Sequence, residues 1–220
     1  MSDIAKNIAA IRGRLRPDTL LVAVIKNVPT EQVEEAIRAG ITDIGENRVQ
    51  EAEARIPYLK DKYPHIKVHM IGHLQTNKVK KVLPMLDMVQ SVDSLRLAEE
   101  IDKRADRPVE ALIEVNTSGE TTKYGILPEN ALELINSISS LPNIRIKGLM
   151  TIAVFSEDQG KVRPCFVRLR EIKDQIIAAQ IENVEMCYLS MGMSDDYEIA
   201  IEEGSNVVRV GRAIFGSRRK

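Results

Sequence analysis

Two rhythms of apolar residues alternate along the chain. Residues 20–26, Leu-Leu-Val-Ala-Val-Ile-Lys, are an unbroken aliphatic run that ends on a lysine between Pro17 and Pro29. A run this short reads as a strand buried on both faces, as in a parallel sheet covered by helices. Before it, Ile4, Ile8, Ile11 and Leu15 recur at helical spacing and predict a leading amphipathic helix stopped by Pro17. After it, Thr30 is placed to cap a helix with Val33, Ala36 and Ile37 on one face and Gly40 at its C′ position. The unit then repeats. Strands are predicted at 41–45, 67–72, 88–92, 109–115, 145–150, 184–189 and 206–210. Helices are predicted between them: a polar one over 48–62, one through Lys78 and Val82, one carrying Leu97, Ala98 and Ile101, and one opened by Pro128 at N1. A long helix carries Val162, Phe166, Leu169, Ile172 and Ile176, and a last one is capped by Ser194 and stops at Gly204.

Eight strand signals alternating with helix signals call for a parallel sheet with right-handed crossovers. Eight is the number that closes into a (β/α)8 barrel of the TIM type, here with an additional N-terminal helix, and residues 1–220 read as one domain. An open doubly wound sheet is the alternative; no G-x-G-x-x-G follows the first strand, so its dinucleotide-binding version has no support. With 31 Lys and Arg against 32 Asp and Glu, the balance argues against a general nucleic-acid binder. No apolar stretch is long enough to cross a bilayer, and the amino terminus lacks the basic and apolar regions of a signal peptide. Two cysteines, Cys165 and Cys187, form no motif, which fits a cytoplasmic location with ordinary thiols.

Barrels of this kind carry functional groups at the carboxyl ends of their strands, with phosphate often bound after strands seven and eight. The strand ends here offer Lys26, Glu46-Asn47, His73, Asn116, Met150-Thr151, the turn Ser190-Met191-Gly192-Met193-Ser194, and Arg209-Val210-Gly211-Arg212. Either of the last two is an ordinary turn when taken alone. Together, a small hydroxyl-bearing turn opening a helix and a glycine that admits close backbone approach favour a phosphate group. A phosphate cradle facing a lysine that ends strand one fits pyridoxal 5′-phosphate, whose aldehyde would form a Schiff base with the amine. Burial among aliphatic side chains favours the neutral, nucleophilic lysine. Arg209, directed into the mouth, would meet the pyridine nitrogen and keep it unprotonated, making the ring a poorer electron sink.

The chain resembles the pyridoxal phosphate homeostasis protein family, single-barrel relatives of the alanine racemase N-terminal domain. The resemblance rests on Ala23-Val24-Ile25-Lys26, Gly45-Glu46-Asn47-Arg48-Val49-Gln50-Glu51, His69-Met70-Ile71-Gly72-His73-Leu74-Gln75-Thr76-Asn77-Lys78 and Gly148-Leu149-Met150. It extends through the long run from Leu189-Ser190-Met191-Gly192 to Arg209-Val210-Gly211-Arg212-Ala213-Ile214-Phe215-Gly216. It implies that Lys26 carries pyridoxal phosphate as an aldimine, that Ser190, Gly211 and Arg212 hold the phosphate partly through backbone, and that Asn47 lies near the aldimine and Arg209 near the ring nitrogen. It also implies a protein without established turnover that carries or buffers the cofactor for vitamin B6 and amino-acid balance, with apo enzymes as recipients. In this chain Ile25 and Arg212 stand where many members have a hydroxyl residue.

A non-enzyme is also expected on physical grounds. Racemisation needs an acid and a base on opposite faces of the ring, and relatives of this fold type take one of them from a second domain. The chain ends at Lys220, soon after its eighth strand. The competing readings are an enzyme using the same cofactor, such as a racemase or decarboxylase, and a barrel that binds another phosphorylated metabolite with Lys26 as a simple charge. A monomer is expected. His65, His69 and His73 are too scattered for a metal site, and His69 reads as structural. Lys78, Lys80 and Lys81 read as a solvated helix face. Lys123 reads as an exposed loop lysine with a second, transient aldehyde-acceptor role as its alternative, and Met191 and Met193 as packing.

Overall fold

Eight parallel strands close on themselves in sequence order: β1 (Leu20–Val24), β2 (Asp43–Glu46), β3 (Lys67–Met70), β4 (Met88–Val92), β5 (Val109–Glu114), β6 (Ile144–Met150), β7 (Val184–Ser190) and β8 (Val207–Val210). The computed structural model describes residues 2–216. The seam is the β8–β1 pairing, which runs from Leu20↔Val207 to Ala23↔Val210. Around the barrel lie α1 (Asp3–Arg12), α2 (Thr30–Arg38), α3 (Val49–Lys62), α4 (Val79–Val82), α5 (Leu95–Arg104), α6 (Ala131–Ile138), α7 (Gln159–Ala178), α8 (Tyr197–Glu202) and α9 (Arg212–Phe215).

Side chains alternate across each strand. On β1, Leu21, Ala23 and Ile25 join the large core shared with the helices, which leaves Val22 and Val24 facing the barrel interior. Burial on both faces is why this strand reads as continuously apolar. The interior has a small apolar cluster of Met88, Leu112 and Met150. Beside it runs a buried polar chain. His69 pairs with Asp43 at 2.9 Å and with Gln90 at 3.0 Å, Ser190 Oγ donates to Gln90 Oε1 at 2.7 Å, and Arg209 donates to Ser190 Oγ at 2.6 Å and to the Thr151 carbonyl at 2.8 Å. With Gln90 Nε2 donating to His69 Nδ1, the imidazole carries its proton on Nε2 and donates it to Asp43. The chain ties five strands and the residue after β6 across the bore, and His69 is structural, as expected.

The leading helix covers barrel surface. Ile4, Ile8 and Ile11 are buried, and α1 packs against α2 and α9. Asn7 Nδ2 donates to the Ile214 carbonyl at 2.9 Å. The helix after β8 is one turn long, so α1 supplies the apolar face that a full eighth helix would otherwise bring.

The cap expectations are corrected at two points. Thr30 is the first helical residue of α2 and not its cap; the residue before the helix is Pro29, whose carbonyl accepts from Gln32 and Val33. Ser194 does not cap α8. The Met193 amide donates to Asp196 Oδ1 at 2.5 Å, and this turn delays the helix to Tyr197, while Ser194 Oγ instead accepts from the Ala213 amide at 3.2 Å. The segment predicted as one helix through Lys78 and Val82 is a four-residue α4 between two 3₁₀ turns, Thr76–Lys78 and Leu83–Met85, the second holding Pro84. Gly40 follows α2 with φ 98°, as its C′ role requires.

Candidate functional site

The Lys26 turn is clamped from outside the barrel. Strand β1 ends at Val24, two residues short of the expected lysine. Ile25 still donates to the Gly45 carbonyl, and Val28 closes the turn onto the Ile25 carbonyl. Asn27 takes φ 55° at the turn, and its amide donates to Glu51 Oε2 at 2.8 Å. Arg55 of α3 donates to Glu46 at 2.6 Å, to the Val28 carbonyl at 2.7 Å and to Glu51 at 2.9 Å. The acidic residues of the Gly45–Glu51 motif therefore hold the lysine turn, Glu51 directly through the Asn27 amide and both Glu46 and Glu51 through the buried Arg55. Burial raises the Glu46 carboxyl to about 7, outweighing the pull of Arg55.

Alternation along β1 carries Val22, Val24 and then Lys26 to the inner side, and Lys26 is half-buried at the rim. It lines a cleft of about 730 Å³ together with Asn47, His73, Lys78, Glu114 and Tyr124. Asn47 continues the inward series of Asp43 and Gly45, and its buried Oδ1 has no hydrogen-bond partner among the described residues. Its backbone carbonyl passes so close to Gly72 that a Cβ there would lie 2.4 Å from it, so only glycine fits the facing wall. The His73 ring stacks on Tyr124 at 3.8 Å with an interplanar angle of 7°, and His73 Nδ1 lies 3.4 Å from Asp93.

The remaining expected residues lie beyond that cleft. Arg209 is directed into the barrel interior, where it is only 3% exposed and held by Ser190 and Thr151. Burial lowers its guanidinium to about 10, opposed by Glu114 and Asp196, so it stays charged at neutral pH. The Ser190 hydroxyl is buried between Gln90 and Arg209. Gly211 precedes α9, whose first residue, Arg212, pairs with Asp195 and lines a second pocket of about 430 Å³ with Met193 and Asp196. Because β8 pairs with β1 on the side opposite β2, the turn at 211–212 emerges beside the Lys26 turn.

Sequence reasoning missed Glu114. It is 5% exposed, its Oε2 has no hydrogen-bond partner among the described residues, and it lines the same cleft as Lys26. Burial, with a contribution from Asp93, raises its carboxyl to about 7 against the pull of Arg209. A carboxylate inside the apolar strand Val109–Glu114 was the available signal. Lys78 is likewise corrected: it is half-buried and lines the cleft instead of a solvated helix face. Lys123 donates to the Ala153 carbonyl at 2.8 Å and pairs with Glu120, so it braces two rim loops. Ile25 is fully buried under the helices, on the opposite side of the strand from Lys26, so the apolar residue there takes nothing from the cleft.

Comparison with known proteins agrees with this fold. The family model for the alanine racemase N-terminal domain matches residues 1–219. A pyridoxal phosphate homeostasis protein of Aquifex aeolicus is 44% identical over 210 residues, covering 94% of this chain and 90% of the relative. One from Mus musculus is 40% identical over 210 residues, covering 90% of this chain and 76% of that protein. Among solved structures, PipY of Synechococcus elongatus with pyridoxal phosphate bound has a TM-score of 0.88 at 34% identity, over 97% of this chain and 100% of that one. Alanine racemase of Clostridium difficile shares the fold, with a TM-score of 0.79 at 15% identity over 99% of this chain and 56% of its own. The chain belongs to the pyridoxal phosphate homeostasis protein family, single-barrel relatives of the alanine racemase N-terminal domain.

Proposed function

We propose that this protein binds pyridoxal 5′-phosphate and carries or buffers it in the cytoplasm, as a monomer, with no dedicated turnover of its own and with apo enzymes as recipients. The observation that carries the reading is Lys26, set by strand alternation and by the Arg55 clamp at the rim of a cleft large enough for a small ligand. The cleft's chemistry fits the cargo. It offers buried oxygens on Asn47 and Glu114 without hydrogen-bond partners among the described residues and a flat His73–Tyr124 stack, with the buried charge of Arg209 in the bore below. When bound, the cofactor supplies an aldehyde that condenses with a lysine amine, losing one water.

The chain's own groups have separable tasks in this reading. Lys26 Nζ is the attachment point, and Asn47 orients the ligand beside it. Ser190, with the backbone at Gly211 and Arg212, holds the phosphate on the β7–β8 side, and Arg209 sets the charge near the ring nitrogen. Because the Ser190 hydroxyl already bridges Gln90 and Arg209, it fixes the Arg209 side chain, and its contribution to phosphate binding runs through the local backbone. Supporting this division, both pockets open at the carboxyl ends of the strands, one on the Lys26 side and one on the Arg212 side. No helix of the described residues is long and apolar enough to cross a membrane.

The experiment is a titration of purified protein with pyridoxal phosphate, followed by the absorbance of the bound aldehyde. Wild-type protein is expected to shift the band with one equivalent, and Lys26→Ala to leave the spectrum of free cofactor. Loaded protein is then mixed with an apo enzyme, whose recovered activity reports release. Failure to shift the band would refute the binding reading, and steady racemisation of amino acids abolished by Lys26→Ala would refute the absence of turnover.

A further inference from the structure

Glu114 closes strand β5 on the inner side of the barrel. The loop that follows folds back over it: Ile126 donates to the Glu114 carbonyl, Asn116 donates to the Ile126 carbonyl, and Val115 bridges Ile126. At the return, a Cβ on Gly125 would lie 2.8 Å from the Asn116 amide nitrogen and 3.2 Å from Glu114 Cγ, so the loop can seat this closely only through glycine. The loop therefore walls in the carboxyl from one side, and the other side opens on the Lys26 cleft. A buried carboxyl oxygen with no partner is costly unless a ligand or a proton satisfies it.

The charged and titratable groups around Glu114 are Lys26 after β1, Arg48 before α3, His73 and Lys78 after β3 and Tyr124 on its own loop, which line the same cleft, with Asp93 after β4 and Arg209 on β8 acting on it electrostatically. Asp93 is 3.4 Å from His73, and Arg209 is drawn also toward Asp196, so neither neighbour belongs to Glu114 alone. Among the described residues the other strand carboxyl with an unpartnered oxygen, Glu46, lies on the helix side against Arg55 and not in the cleft.

Resting on the cofactor reading above, we propose that Glu114 is a proton-carrying contact to the bound pyridoxal phosphate: protonated, its Oε2 donates a hydrogen bond to an oxygen of the cofactor, and ionised, it repels the same anionic group and loosens it. The proton comes from solvent and returns to solvent. Loading thus takes up a proton at this site, and alkaline conditions favour hand-over. The position of the carboxyl near neutrality is consistent with this use.

The test compares pyridoxal phosphate affinity of wild-type, Glu114→Gln and Glu133→Gln proteins between pH 6 and pH 8, Glu133 being an exposed carboxylate on α6 outside the cleft. Proton uptake by the wild type is measured alongside, by calorimetry in two buffers of different ionisation enthalpy. The cofactor's own titrations cancel in the ratio of wild-type to variant dissociation constants. That ratio is expected to rise about tenfold from pH 6 to pH 8 for Glu114→Gln and to stay flat for Glu133→Gln, as follows for a carboxyl of pKa about 7 that binds only when protonated. Uptake of up to one proton is expected near pH 8 in wild type, with the excess over Glu114→Gln assigned to this residue. A flat Glu114→Gln ratio with intact binding would overturn this proposal alone. Absence of any cofactor binding in wild type would overturn the parent reading and this one together.

Discussion

Replacing Glu114 by glutamine should reshape the pH dependence of stability even without ligand. In the folded protein the carboxyl titrates near 7, against an ordinary value of 4.5. The folded value is raised, so the neutral form favours folding. Its contribution is fully present below about pH 4.5 and is lost as the pH rises through 7. At about 1.36 kcal/mol for each pH unit between the unfolded and folded titrations, the wild type should lose roughly 2–3 kcal/mol between pH 5 and pH 8 from this group. That is a large share of the roughly 5–15 kcal/mol that stabilises an ordinary domain. Glutamine has nearly the same shape as the protonated acid and does not ionise. The variant's stability advantage over the wild type should therefore grow by roughly 2–3 kcal/mol between pH 5 and pH 8. Glu46 loses stability in the same direction in both proteins and drops out of the difference. Urea unfolding at four pH values between 5 and 8 measures it. A difference that stays constant across the range would mean that Glu114 is ionised in the fold, and would refute the account of its burial.

The remaining predictions concern the clamp, the leading helix and the cleft wall. Arg55→Met leaves Glu46 buried without its partner and releases the Val28 carbonyl, and should cost about 3–5 kcal/mol at pH 8 and less at pH 6, where Glu46 takes up a proton, as read by urea unfolding at the two pH values. Ile8→Ala removes a fully packed side chain between α1 and its neighbours and should cost about 2–5 kcal/mol in the same assay, with cofactor absorbance unchanged in the folded fraction. Gly72→Ala drives a methyl group into the Asn47 backbone; about 1–3 kcal/mol of destabilisation is expected, together with weaker binding in the absorbance titration.

The barrel was legible because the local signals agree with the global fold: each apolar run is short, each is followed by a helical face, and their count closes a ring. What was not legible depends on register and on distant partners. Glu46 and Glu114 both sit in strand segments, yet alternation sends one out against Arg55 and the other into the cleft, a distinction that appears only once each strand's phase is set. Ser194 is chemically suited to a cap, but its hydroxyl is taken by the Ala213 amide 19 residues later. Lys78 looks like one of a solvated run, and a 3₁₀ turn brings it to the cleft. Of the expected site residues, Lys26 and Asn47 meet in one cleft, Ser190 and Arg209 meet beneath it, and Gly211 and Arg212 stand at the neighbouring β8 turn. That grouping follows from the pairing of β1 with β8, which a linear sequence does not display.

Everything proposed for the cleft depends on Lys26 being the amine that carries the cofactor. The decisive measurement is reduction of the pyridoxal phosphate-loaded protein with borohydride, followed by peptide mass mapping. One pyridoxyl phosphate adduct per chain is expected, on Lys26, lost in Lys26→Ala with no compensating adduct elsewhere. An adduct on Lys78 or Lys123 with Lys26 unmodified would contradict that assignment.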